Sequence, residues 1–172
     1  MLRVNNFVSV PSQDNFLQMI YTVYKIQKLP IPLDMAWEFM GNPKNLAVIT
    51  PPSMGFVTTG GDERPMFAGQ IITYTITPLF GIKLQWVTEI THVKDKEFFV
   101  DEQRFGPYAF WHHKHFLKEI PGGTEMEDIV HYKIPMGFLG RLVRPFLVKP
   151  KLDEIFAYRE KKLVELFGEF KS

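Results

Sequence analysis

The chain has 172 residues, which fits one domain, and its net charge of +1 gives no electrostatic basis for binding nucleic acid. Because it contains no cysteine, disulfides, zinc–thiolate sites and cysteine nucleophiles are excluded, and a cytoplasmic protein is expected. Apolar residues never run for the roughly 18 positions that a membrane-spanning helix needs, and residues 1–16 do not resemble a secretory signal. Aromatic residues reach 15%, and such rings fill cores or line apolar pockets.

The first part of the chain predicts an N-terminal arm followed by a strand. Residues 1–16 mix polar and apolar side chains, so we expect an extended arm in front of a single domain at 17–172. Residues 17–29 are rich in Tyr, Val and Ile, and Pro30 follows them. This composition, ended by a proline, predicts the first strand of a sheet.

Two short helices are predicted after this strand. Asp34 lies in the first turn of residues 33–40, where the helix dipole favours a carboxylate, and Gly41 suits the position after the last turn. Asn42 and Pro43 then have the residue types of an N-cap and a first helical residue. The two helices are therefore expected to meet at a tight corner.

Six further strands, separated by turn residues, are predicted between residues 55 and 134. They cover residues 55–59, 68–77, 83–93, 97–105, 109–120 and 124–134. The links between them are short, whereas parallel strands need crossovers of about a dozen residues or more. The sheet is therefore expected to be antiparallel.

A long amphipathic helix is predicted at the end of the chain. From Pro150 to Phe170, apolar residues such as Phe156 recur at steps of three and four, and Pro145 separates this helix from an earlier turn at 138–144. A sheet with one apolar face must bury that face, and this helix can cover it. The expected fold class is α+β, a curved antiparallel sheet of about seven strands wrapped around the C-terminal helix, with an internal cavity.

Seven segments of the chain resemble the START-like (SRPBCC) ligand-binding superfamily. They are 32–39 (PLDMAWEF), 42–46 (NPKNL), 49–51 (ITP), 86–93 (WVTEITHV), 99–103 (FVDEQ), 106–108 (GPY) and 111–116 (WHHKHF). More narrowly, they are similar to the polyketide-cyclase-like and coenzyme-Q-binding-like bacterial members, from about residue 18 to residue 170. The resemblance implies the helix-grip fold. Because the superfamily contains binders, transporters and a few enzymes, it implies little about the substrate.

Polar residues interrupt the inward face of the last two strands. His113 and His115 alternate with Lys114, and the lysine is expected to point outward, which turns both histidines inward. In the next strand the more apolar alternating set contains Asp128 and Tyr132. Both are therefore expected to point inward as well.

Nine residues are expected to contact a ligand in the cavity. They are Trp86, Asp101, Gln103, Trp111, His113, His115, Asp128, Tyr132 and Phe156. Asp101 and Gln103 share one strand face, and the alternation leaves open whether that face is the inner one. The apolar rings would supply most of the affinity, and the polar groups would orient the polar end of the ligand.

Several roles are open for the inward polar residues. A buried polar group left unpaired costs about 1–3 kcal/mol, so these groups must bond to one another, to water or to a ligand. They can form a structural network, the polar end of a ligand pocket, or an acid–base site in which His113 or His115 acts with Asp128. The spacing of His113 and His115 also suits a metal, but a pattern of two residues is weak. We therefore expect no metal and no other cofactor.

A basic and strongly apolar segment precedes the long helix. Residues 138–149 combine Phe138, Leu142 and Phe146 with Arg and Lys side chains. Such a segment can make peripheral contact with an anionic membrane, gate the cavity mouth, or pack on the rim of the sheet with its cations solvated. All three interpretations agree with the sequence.

These patterns favour a protein that binds or carries a hydrophobic or amphipathic small molecule, such as a lipid, an isoprenoid quinone or a polyketide-like compound. The alternative is an enzyme of the cyclase or dehydratase type that uses His and Asp acid–base chemistry in the same cavity. A third interpretation is a protein-interaction module. No serine lies in a nucleophile elbow and no phosphate-binding glycine motif is present, so hydrolysis and nucleotide binding are not expected.

Overall fold

The computed structural model describes residues 20–61, 64–78 and 81–171, so the N-terminal arm expected at 1–16 lies outside the described residues. The strands are β1 (Tyr21–Leu29), β2 (Val57–Gly61), β3 (Gln70–Ile76), β4 (Leu84–Lys94), β5 (Phe98–Phe105), β6 (Phe110–Ile120) and β7 (Gly123–Lys133). The helices are α1 (Leu33–Met40), α2 (Pro43–Leu46), α3 (Gly137–Val143) and α4 (Lys149–Phe167). A 3-10 turn at Pro52–Met54 precedes β2, and a π-helical turn at Arg144–Val148 joins α3 to α4. Within the described ranges, no helix is long and apolar enough to cross a membrane.

The strands form one antiparallel sheet in the order β1-β7-β6-β5-β4-β3-β2. Strands β2 to β7 follow one another as a meander, as the short links predict. Strand β1 instead pairs with the last strand, so that Tyr21 lies opposite Tyr132 and Leu29 lies opposite Thr124. The two short helices lie between β1 and β2 in the chain. They do not interrupt the sheet, because β1 pairs with β7 and not with β2.

Hydrogen bonds hold the corner between the two short helices. Asn42 is the N-cap of α2, and its Oδ1 accepts a bond of 3.0 Å from the backbone N–H of Lys44. Nδ2 of Asn45 donates to the carbonyl oxygen of Phe39 at 2.9 Å and so ties α2 to the end of α1. The predicted helix pair is confirmed, and its corner forms one edge of the cavity described below.

The boundaries of several other elements differ from prediction by one to three residues, as at β2 and α4. Strand β2 covers Val57–Gly61 rather than 55–59, and its pairing with β3 is irregular between Thr58 and Gly60. Helix α4 ends at Phe167 because Gly168 has a φ of 93°, which glycine adopts without steric cost.

The core lies between one face of the sheet and α4. The helix buries the side chains that recur along a single stripe: Leu152, Phe156, Arg159 and Leu163. Leu163 packs in a cluster with Ala36 of α1 and Phe99 of β5, and a fully buried leucine of this kind contributes about 1.5–3 kcal/mol. A separate apolar cluster on β3 and β4 lies farther along the sheet. The α+β helix-grip fold is thereby confirmed.

Candidate functional site

A cavity of about 160 Å³ lies between the sheet and the helices α2 and α4. Its apolar lining includes Ile49, Phe56, Ile72, Tyr74, Trp86, Phe99 and Phe156. The charged or titratable side chains of Asp101, His113, His115 and Arg159 also line it. A mainly apolar cavity with a few converging polar groups is the usual form of a small-molecule site.

The sheet register brings two aspartates and two histidines together. His113 on β6 lies opposite Asp101 on β5, and His115 lies opposite Asp128 on β7. The closest hydrogen bonds run diagonally to this register. Nε2 of His113 lies 2.9 Å from Oδ1 of Asp128, and Nε2 of His115 lies 2.9 Å from Oδ2 of Asp101. We call these four residues the Asp–His cluster.

The two imidazole rings of the Asp–His cluster make further contacts. Nδ1 of His115 lies 2.8 Å from Oδ1 of Asp128, but the angle is too poor for a hydrogen bond. Nδ1 of His113 lies 3.4 Å from Oδ2 of Asp101. The two imidazole centroids are 3.7 Å apart, and Phe99 stacks on His115 at 4.1 Å. The rings are thus held in one orientation by both polar and apolar neighbours.

Burial and mutual contact set the charges of the Asp–His cluster. Burial opposes ionisation of Asp128, but its close contacts with both histidines outweigh burial and hold the pKa of Asp128 well below its usual value. Burial likewise opposes ionisation of Asp101, and the nearby His113 and His115 outweigh it and lower the pKa of Asp101. Both aspartates are therefore carboxylates at neutral pH.

The pKa values of the two histidines shift in opposite directions although burial opposes the charged form of each. For His115, contacts with Asp101 and Asp128 outweigh burial and raise its pKa. For His113, burial together with the adjacent His115 prevails over the carboxylates and lowers its pKa. Because an ionised carboxylate can only accept, Nε2 of each histidine is the donor in its bond to aspartate. The neutral form of His113 consequently has an unprotonated Nδ1, and of the two rings His115 is the one that holds a second proton more readily.

Helix α4 adds Arg159, which the strand patterns do not reveal as a site residue. Its Nη1 lies 3.7 Å from Oδ1 of Asp128, and its guanidinium lies 5.2 Å from the ring centroid of Phe156. Nε and Nη1 have no hydrogen-bond partner among the described residues. The signal was present in the sequence, because Arg159 occupies the position of an apolar residue on the stripe of an amphipathic helix.

The two predicted tryptophans lie at the cavity wall. Trp86 and Trp111 meet edge to face at 5.3 Å between ring centroids. Nε1 of Trp111 donates to Oδ1 of Asp101 at 3.3 Å. This contact shows that the strand face carrying Asp101, which alternation left open, is the inner one.

The polar groups of Gln103 and Tyr132 bond to other parts of the protein. Both polar atoms of the Gln103 amide bond to the backbone of Tyr108, at 2.7 Å and 3.2 Å, and so hold the turn after β5. The hydroxyl of Tyr132 accepts a bond of 3.0 Å from Nε of Arg144. Neither residue is among the described ones that line the cavity. Asp128 does not line it either, and it reaches the cavity only through the two imidazoles.

Asp101, His113 and His115 are also the described residues that could hold a metal ion. One donor atom from each lies within 4.8 Å of the others, and two imidazoles with a carboxylate suit a divalent transition metal. Asp128 would then orient both rings from behind. In the arrangement described here the same donor atoms contact one another instead.

Comparisons with known proteins support the fold. No family model matches the chain, and no curated protein matches it in sequence. Protein Ms6760 from Mycobacterium smegmatis has a TM-score of 0.59 and 20% identity over 92% of this chain and 98% of its own. TTHA0849 from Thermus thermophilus has a TM-score of 0.64 and 13% identity, covering 85% of this chain and 99% of its own. Ara h 8.0201 has a TM-score of 0.57 and 14% identity, covering 86% and 99%. At such identities the likeness concerns the fold alone, and the chain has the helix-grip fold that its resemblance to the START-like superfamily predicts.

Proposed function

We propose that the protein binds a hydrophobic or amphipathic small molecule in the cavity between the sheet and α4. The observation that carries this proposal is the composition of the cavity wall, which is mainly apolar and whose polar groups include Asp101, His113, His115 and Arg159. An apolar cavity of about 150 Å³ in another protein holds benzene, so a ring-sized group fits a cavity of about 160 Å³. A lipid, an isoprenoid quinone or a polyketide-like compound would extend beyond it toward solvent.

Apolar burial alone gives only modest affinity in a cavity of this size. A ring with about 150 Å² of surface contributes ~4 kcal/mol on burial, before the cost of association is subtracted. Polar contacts must therefore add to the affinity if the ligand is to bind tightly. The polar groups of the wall are positioned to do so.

The proposal is tested by reducing the cavity. Ile72 lines it from β3, whereas its neighbour Ile71 is exposed on the opposite face of the same strand. We expect Ile72→Phe to weaken binding of a fluorescent apolar probe by about tenfold or more, because the added ring fills the space that the probe needs. Ile71→Phe is the matched control and should bind as the wild type does. Native mass spectrometry of the purified chain should show a bound apolar compound, and equal probe binding by both variants would refute the proposal.

A second candidate function is acid–base catalysis of the cyclase or dehydratase type. The observation that favours it is the pair of adjacent imidazoles at the cavity wall, in which the pKa of His113 is lowered and that of His115 is raised. Such a pair offers a base and an acid within one site. His113→Ala and Asp128→Ala should then abolish turnover of a bound compound while thermal unfolding remains cooperative. Turnover that survives both substitutions would exclude this role.

We also infer that the segment 138–149 contacts a membrane surface. What supports this is the exposure of Phe138, Leu139, Leu142 and Phe146, with Phe146 exposed to 79%. An apolar patch of adjacent residues at the surface of a small domain is typical of an interaction site. Peripheral contact with lipid would suit a protein that collects or delivers a hydrophobic ligand.

A further inference from the structure

Arg159 is an unusual residue for its place on α4. Its side chain is only 9% exposed, and it shares its stripe with the buried apolar residues Leu152, Phe156 and Leu163. Removing a cation from water costs several kcal/mol unless its partners compensate. A leucine at this position would pack without that cost. The buried charge of Arg159 therefore needs neighbouring groups that compensate it.

The carboxylate of Asp128 compensates the charge of Arg159 only in part. Oδ1 of Asp128 lies 3.7 Å from Nη1, which is beyond hydrogen-bond distance. That oxygen already accepts from Nε2 of His113 at 2.9 Å and lies 2.8 Å from Nδ1 of His115. Nε and Nη1 of Arg159 consequently lack a hydrogen-bond partner in the described part of the chain. Each buried donor left without a partner costs about 1–3 kcal/mol.

Arg159 also forms part of the cavity wall, next to His113 and His115 and beside the ring of Phe156. A molecule in the cavity can therefore reach a cation with two donors, Nε and Nη1, that have no hydrogen-bond partner among the described residues, while its apolar part lies against aromatic side chains. A carboxylate has about four acceptor positions and can satisfy two donors of one guanidinium at once. A neutral hydroxyl accepts fewer bonds and leaves the charge uncompensated.

We propose that Arg159 anchors an acidic head group, most simply a carboxylate, of an otherwise apolar ligand. This inference rests on the proposed function, since it names the chemical class of the molecule that the cavity takes. The ligand is thus an organic acid whose ring or chain lies against Phe156 and whose anion pairs with Arg159. His115 lies in the same wall, and its Nδ1 lies 2.8 Å from Oδ1 of Asp128.

The test compares ligands that differ only in the head group. The full chain is titrated with 3-phenylpropanoic acid and 3-phenylpropan-1-ol, and then with decanoic acid and decan-1-ol, by displacement of the fluorescent apolar probe. In both pairs the acid should bind about tenfold or more tightly than the alcohol, since a bond between charged partners exceeds a neutral one. Equal affinity for acid and alcohol overturns the inference while leaving the proposed function intact. If neither member of either pair displaces the probe, the inference fails, whereas the proposed function is judged separately by the loss of probe binding in Ile72→Phe.

Variants then assign the preference to one residue. Arg159→Met keeps the length of the side chain and removes its charge, and we expect it to bind acid and alcohol with equal affinity. Lys161→Met removes an exposed cation from the same helix and should leave the preference unchanged. A preference for the acid that persists in Arg159→Met overturns the inference. The comparison of acid with alcohol needs only the wild-type chain. Equal affinity for the two therefore overturns the inference even if Arg159→Met does not fold.

Discussion

Asp128 contacts three cationic or imidazole groups from one buried position, and this geometry decides how protons are distributed in the site. Its Oδ1 lies within 4 Å of a nitrogen of His113, His115 and Arg159. Two carboxylates, one charged histidine and one arginine balance to zero while His113 stays neutral. A neutral cluster can be buried at far lower cost than an unbalanced one.

The first prediction at this scale concerns the two histidines. At pH 6.5, the usual pKa of histidine, His115 should be mainly charged and His113 mainly neutral, because their pKa values shift in opposite directions. Long-range ¹H–¹⁵N spectra of the imidazole nitrogens would show this difference directly. We expect one ring with two protonated nitrogens and one ring in the tautomer protonated at Nε2. Two rings that titrate together, or in the reverse order, would contradict the prediction.

The same shifts make stability depend on pH in two directions. The contribution of His115, whose folded pKa is raised, is fully present below pH 6.5 and is lost as the pH rises through that raised value. The contribution of His113, whose folded pKa is lowered, is present above pH 6.5 and is lost as the pH falls through that lowered value. In urea unfolding, His115→Gln should therefore lack the loss of stability that the wild type shows as the pH rises. His92→Gln, a substitution outside the cluster, should keep both losses.

At the scale of elements, the segment between β7 and α4 is anchored through Arg144 and exposes several apolar side chains. The guanidinium of Arg144 lies 3.7 Å from the ring centroid of Tyr21 and donates from Nε to the Tyr132 hydroxyl at 3.0 Å. Lys149 pairs with Asp153 at 2.6 Å. These cations are therefore engaged within the protein, and membrane contact would depend more on apolar side chains than on charge.

The prediction at this scale is that Phe146→Glu reduces binding to lipid vesicles by about tenfold or more, because burial of one phenylalanine contributes ~1.5–3 kcal/mol. Val164→Glu places the same charge at an exposed apolar position of α4 and serves as the control. Co-sedimentation with vesicles of mixed neutral and anionic phospholipid measures the bound fraction. We expect only weak dependence on salt. Wild-type protein that stays in the supernatant would refute the proposed membrane contact.

At the scale of the whole molecule, the cavity exists because distant elements meet. Strand β1 pairs with β7 and thereby joins the first and last strands of the described chain, while α4 packs on one face of the sheet. The corner of α1 and α2 closes part of the cavity against β3 and β4. Any ligand bound there contacts elements that are far apart in sequence, so binding should stabilise the entire fold.

A bound ligand should therefore raise the Tm of the protein. At a ligand concentration of about 100 times Kd the stabilisation is ~2.7 kcal/mol, which corresponds to an increase of roughly 5–10 °C in Tm for a domain of this size. Differential scanning fluorimetry with decanoic acid measures this shift. Ile72→Phe should show a much smaller increase at the same concentration, whereas Ile71→Phe should match the wild type. No shift in the wild type at saturating ligand would show that binding does not involve the folded core.

The sequence by itself determined the features that depend on local periodicity. Alternation along β6 and β7 turned His113, His115 and Asp128 inward, and the three- and four-residue steps of α4 placed Phe156 toward the sheet. Caps and prolines located the two short helices, as the Asn42 bond confirms. These features follow from the chemistry of neighbouring residues, so they can be read without knowing the fold.

Only the tertiary structure decided which polar groups meet. The register of β5 against β6 places Asp101 within hydrogen-bond distance of His115. Gln103, on the same strand, bonds instead to the backbone of Tyr108 in the turn after β5. Arg159 lies more than thirty residues after Asp128 in the sequence and enters the site from another element, so strand periodicity could not reveal it. The physical reason is that alternation specifies the face on which a side chain lies. Its partner on that face depends on strand register and helix packing, which are set by contacts between distant parts of the chain.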